Sequence, residues 1–68
     1  MNYELKLISE HSVGVIKHQY YQITNYDNNV ENLKEFIKKN NEDSLFNISW
    51  YIDDEEKGIV EKVVDTFE

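Results

Sequence analysis

The sequence contains no cysteine and no arginine. Without cysteine, a disulfide framework and a thiolate zinc site are excluded together, and a reducing compartment would not trouble the fold. Without arginine, direct recognition of nucleic acid or nucleotides loses the planar fork that grips phosphates and base edges. Seven lysines against fourteen Asp and Glu give a net charge of −7, a field that repels phosphates further. No apolar run approaches the roughly 18 residues of a membrane-spanning helix. Met1–Ser9 has neither the basic start nor the long apolar stretch of a secretion signal, so a soluble, cytoplasmic chain is expected. The two glycines, Gly14 and Gly58, do not frame any of Ser9, Ser12, Ser44 or Ser49 in a Gly-x-Ser-x-Gly elbow. No catalytic constellation is recognisable, and an enzyme is not expected.

What is present is enough to fold. Hydrophobic residues make up 40% of the chain and charged residues 31%. A length of 68 residues predicts a single domain, residues 1–68. Domains of this size bury only about 60% of the surface their unfolded chains expose. With disulfides excluded, the shortfall falls to a well-packed core or to a partner subunit.

The negative charge is unevenly placed. Residues 1–40 carry five acids (Glu4, Glu10, Asp27, Glu31, Glu35) against five lysines. Residues 41–68 carry nine acids against Lys57 and Lys62, so this segment holds the whole net charge.

Tyr3, Leu5 and Leu7 alternate with Glu4 and Lys6, which predicts a half-buried strand over about residues 2–9, followed by a turn at 9–12. Val13–Thr24 is rich in β-branched and aromatic residues and predicts a second strand, over the competing helical spacing of Val13, Ile16, Tyr20 and Ile23. Its imperfect alternation implies either that both faces are partly covered or that a bulge changes the phase in mid-strand. Asn25–Asn29 is a turn cluster that offers Asp27, Asn28 or Asn29 as an N-cap. Val30, Leu33, Phe36 and Ile37 then fall on one side of a helix, with Glu31, Lys34, Glu35 and Lys38 opposite. Phe46, Ile48, Trp50 and Ile52 alternate as a further strand, with Trp50 and Phe46 directed to the core.

The C-terminal segment reads two ways. Ile59, Val60, Val63, Val64 and Phe67 share one arc of a helix, and Asp53 with Glu56 resembles a capping box. Gly58 and four β-branched residues suit instead a strand after a turn at Asp53–Gly58. The first reading predicts an α+β fold with a small antiparallel sheet of about three strands and two helices in the order ββαβα. The second makes it ββαββ.

Asp53-Asp54-Glu55-Glu56 is the most distinctive run. Aligned as a calcium loop on Asp53, it would place Lys57 fifth and Val64 twelfth, where Asp or Asn and then Glu are required, so the match fails at the ligands. Four adjacent solvated acids do not make a glycosidase pair either. A solubilising helix start or hairpin tip is the plain reading; an acidic recognition surface, joined by Glu61 and Asp65, is the functional one. Seven residues apart on strand-like sequence, His11 and His18 are expected to face opposite ways and to bind no metal. Strand parity puts Tyr20 opposite Tyr21, and Tyr51 opposite Trp50, so some of these tyrosines should be exposed as interface anchors.

In size, acidity and lack of cysteine the chain resembles the small phage-borne inhibitors of bacterial defence nucleases, including anti-CRISPR proteins, and the immunity proteins that block toxic nucleases. That resemblance implies a non-enzymatic protein-binding inhibitor without cofactors. It would set carboxylates where phosphates sit on a basic, nucleic-acid-handling partner, using Asp53, Asp54, Glu55, Glu56, Glu61 and Asp65 with Tyr20, Tyr21 and Tyr51. No direct contact with nucleic acid or membrane is expected. The thin core supports a different expectation, a structural or regulatory module that forms a homodimer through a sheet edge or the tyrosine face.

Overall fold

A computed structural model describes residues 2–42 and 47–65. Its elements run β1 (Glu4–Val13), β2 (Ile16–Thr24), α1 (Val30–Glu42), β3 (Asn47–Asp54) and β4 (Ile59–Asp65). The four strands form one antiparallel sheet in the order β1-β2-β4-β3, with the helix on one face. The α+β class and the antiparallel sheet agree with the sequence. The preferred order ββαβα does not, because the segment after Gly58 is a strand, giving ββαββ.

Turn chemistry decides that segment. Asp54 Oδ1 accepts from the N–H groups of Glu56 and Lys57, both at 3.0 Å, and Gly58 N donates to Asp54 O at 2.9 Å. The acid next to Asp53, the expected helix cap, closes a hairpin here. Gly58, at φ +71°, then returns the chain antiparallel to β3. The charges that argued against a strand are also accommodated. Glu61 pairs with His18 on one face, while Lys62 on the other carries its ammonium 5.6 Å from the Trp50 ring centre.

β1 is longer than expected. The chain turns at Gly14–Val15, with Gly14 at φ +61°, the pattern of a two-residue hairpin with glycine first. The phase break lies in β1 at Ile8, between Leu7 and Ser9, rather than in β2.

Register assigns the faces. Leu5, Leu7, Tyr21, Ile23, Ile48, Trp50, Ile52, Val60, Lys62 and Val64 lie on the helix side. There Ile23, Trp50 and Val60 meet Leu33 and Ile37 of α1 to form the buried core, flanked by Tyr3, Tyr21, Tyr26 and Phe36. The helix lies against β3, leaving β1 outside its cover, and all ten β1 residues are exposed. Phe46 lies outside the described residues.

One polar knot fixes the start of the helix. Asn29 Oδ1 accepts from Asn32 N at 3.2 Å, so Asn29 is the N-cap. Asp27 accepts from Asn29 N at 3.1 Å and from Asn32 Nδ2 at 2.9 Å, and it also accepts the Tyr3 hydroxyl. Partial burial first, and then the hydrogen bond to Asp27 and its charge, push the Tyr3 phenol up from 10.0 to about 12. The Tyr3 hydrogen bond, foremost among Asp27's contacts, holds its carboxyl below the ordinary 3.8.

Each shift links stability to pH. The Tyr3 contribution is complete below pH 10.0 and is lost as pH rises toward about 12. The Asp27 contribution is complete above 3.8 and is lost as pH falls through its lowered value. Urea midpoints measured from acid to alkaline pH should therefore fall at both ends, and Tyr3→Phe should make both limbs shallower. Parallel profiles for the two proteins would show that this contact is energetically neutral.

Candidate interaction face

The sheet face away from the helix has no element packed on it among the described residues. Register arranges it in rows running from β1 to β3. One row is Ser9, Tyr20, Glu61 and Tyr51; the next is His11, His18, Val63 and Ser49; the last is Val13, Ile16, Asp65 and Asn47. Toward the other end, Lys6, Gln22, Ile59 and Asp54 lead to the β3–β4 tip, where Asp53, Glu55 and Glu56 are exposed. Lys6 is the only lysine of this face among the described strand residues.

The centre of the face is tied together. His18 Nδ1 lies 2.6 Å from Glu61 Oε2, with the carboxylate accepting. The His18 ring stacks on His11 at 4.8 Å between centroids and 10° between planes, and His11 stacks on Tyr20 at 6.0 Å. Partial burial, followed by the charges of Glu61 and Asp53, pushes the Tyr20 hydroxyl up from its ordinary value. Tyr20 is thus a neutral donor and stacking surface beside a carboxylate. Tyr51, 55% exposed, stands on the other side of Glu61. The arrangement offers two phenols and a held carboxylate to a partner, which suits hydrogen bonding to lysine and arginine side chains.

Of the residues picked out in the sequence, the fold brings Tyr20, Tyr51, Glu61 and Asp65 onto this face and sets Asp53, Asp54, Glu55 and Glu56 at its border. Tyr21 is elsewhere. It lies on the helix side with its ring 5.7 Å from Trp50, where it supports the core. The histidines correct the expectation that they face apart: they are opposite one another across the β1–β2 hairpin and share this face. Their equal spacing from the Gly14–Val15 turn was the available signal. Among the described residues, no group of three or more His, Asp or Glu is arranged to hold a metal ion, and no helix is long and apolar enough to cross a membrane. No protein-family model matches the chain, and neither the curated proteins nor the solved structures include a match to it.

Proposed function

We propose that this chain is a non-enzymatic protein-binding inhibitor. Its uncovered sheet face and β3–β4 tip occupy a basic, nucleic-acid-binding surface on a partner protein, as anti-defence and immunity proteins do. The observation that carries the reading is the row Tyr20, Glu61, Tyr51, in which two aromatic anchors flank a carboxylate on a face bordered by Asp53–Glu56. The carboxylates steer a cationic partner into place, and the tyrosines supply contact area at low entropic cost once it arrives. The tip acids stand where a phosphate chain would run. Rigid strands hold the central row, so little ordering is needed on binding.

Affinity capture from bacterial lysate, run in parallel at low and high salt and followed by identification of what is retained, is the direct test. A basic nucleic-acid-handling protein should be retained at low salt and released at high salt, because the distance over which exposed charges attract shrinks from about 10 Å at 0.1 M to about 3 Å at 1 M. Binding of that protein should fall at least about tenfold with Tyr51→Ala. It should fall by a similar factor when Asp53, Asp54, Glu55 and Glu56 become Asn and Gln, with loss of the salt dependence. Retention that ignores salt and survives those substitutions would overturn the reading.

A further inference from the structure

We infer that the outer edge of β1 is a self-pairing surface, and that two copies join there in antiparallel register centred on Leu5 to form one continuous eight-stranded sheet. This is independent of the acidic-face reading. The two edges of the sheet are treated differently. At β3, the backbone N–H of Trp50 donates to Asn41 Oδ1 at 3.0 Å, so the end of α1 blunts that edge. At β1 all ten residues are exposed, and they include Leu5 at 37%, Leu7 at 48% and Ile8 at 49%. A long apolar edge with free backbone groups is a template for another strand.

The occupant follows from the side chains. Directly opposed residues of an antiparallel pair share a face, so a symmetric pairing must be centred on a residue. A centre at Glu4 or Lys6 would set like charges against each other. A centre at Leu5 sets Glu4 of each copy against Lys6 of the other on the open face. On the helix side it sets Leu5 against Leu5, and Tyr3 against Leu7. Charge and apolar matches therefore coincide in one register.

Backbone direction agrees. Glu4 O accepts from Thr24 Oγ1 at 3.1 Å and so points inward toward β2, which turns the N–H and C=O of Leu5 outward. The two Leu5 residues can then exchange both hydrogen bonds. The bulge at Ile8 bends the strand and confines the pairing to its first half. The paired sheet would present both open faces on the same side.

Because the chain has no cysteine, a single introduced thiol reports the register. Opposed residues of a hydrogen-bonded pair have Cα atoms about 5.5 Å apart, within disulfide reach. Under mild oxidation Leu5→Cys should give a covalent dimer at low concentration, whereas Leu7→Cys, more exposed but facing Tyr3, should cross-link at least about tenfold more slowly. Sedimentation of the unmodified protein should show a concentration-dependent dimer. Lys6→Glu should weaken it about tenfold and Glu4→Lys with Lys6→Glu should restore it. A monomer at high concentration, or cross-linking at Leu7 as fast as at Leu5, would overturn the proposal, as would a dimer indifferent to the charge reversals.

Discussion

Gly58→Ala should lose a large share of the stability of this protein. Gly58 sits at φ +71°, and a Cβ built there would stand 2.7 Å from Tyr26 Cδ2 and 2.9 Å from Tyr26 Cγ. Those atoms are near the root of the Tyr26 side chain, and its far end is held as well, because the hydroxyl donates to Glu55 O at 2.5 Å. The backbone cannot yield easily either, since Gly58 O accepts from Ile23 N at 2.8 Å and Gly58 N donates to Asp54 O. The left-handed conformation costs an alanine about 1–2 kcal/mol, and overpacking adds about 1–3 kcal/mol. A chain of this length has only about 3–10 kcal/mol in total at ~0.05–0.15 kcal/mol per residue. Urea unfolding followed by fluorescence of Trp50, the only tryptophan, should show a midpoint lowered by about 2 M or more. Gly14→Ala is the control. Gly14 also has a positive φ, +61°, but no atom lies within 4 Å of its Cβ position, so only the conformational cost applies. Equal losses at the two glycines would show that Tyr26 moves freely and that the ring does not lock the β3–β4 turn.

The same glycine shows how far the sequence could be read. Helix α1 was legible because periodicity, a turn cluster and an N-cap all agreed, and the structure adds only that Asn29 is the cap. β4 was not legible from periodicity, since Ile59, Val60, Val63 and Val64 fit one arc of a helix as well as the strand they form. The Asp54–Gly58 turn decides it, and that turn is held by Gly58 lying beneath Tyr26, a contact between residues 32 positions apart that no local window contains. The β1–β2 hairpin was legible in principle. Placing its turn at 9–12 instead of Gly14–Val15 separated His11 from His18 and hid the stacked pair.

The candidate face was legible in part for a similar reason. Strand parity correctly set Tyr20 apart from Tyr21 and Tyr51 apart from Trp50, but it could not say which tyrosine of the first pair faces the helix. That depends on the register that pairs Tyr21 with Val60 and puts Ile23 and Val60 in the core with Leu33 and Ile37. The acidity of residues 41–68 was plain from composition, yet its arrangement is set by the strand order, which places β4 between β2 and β3. Glu61 is thereby carried to the middle of the sheet, beside His18 and between two tyrosines, while Asp53–Glu56 stay at the tip. A charge count becomes a graded surface, with one held carboxylate at the centre and solvated ones at the border.

Leu33→Ala should be the most damaging change in the helix, whereas Leu7→Ala, which removes the same group from the same side of the sheet, should barely affect the isolated chain. Leu33 is 0% exposed and sits among Ile23, Ile37, Trp50 and Val60, which hold the helix to the sheet. Deleting a buried leucine costs about 2–5 kcal/mol through lost transfer energy and the cavity left behind. Against a total of about 3–10 kcal/mol, that should leave a broad transition or none at 25 °C. Leu7 is 48% exposed because α1 lies over β3 and does not reach β1, so its truncation should cost no more than about 0.5 kcal/mol in dilute solution. The difference should change with concentration. If β1 pairs with a second copy, Leu7 becomes covered by Tyr3 of that copy, and Leu7→Ala should lower the midpoint at high protein concentration while leaving it unchanged at low concentration. Urea midpoints of both variants at concentrations about a hundredfold apart separate the two roles. A Leu7→Ala loss as large as that of Leu33→Ala at the lowest concentration would mean that the helix covers β1 and that the edge is not free.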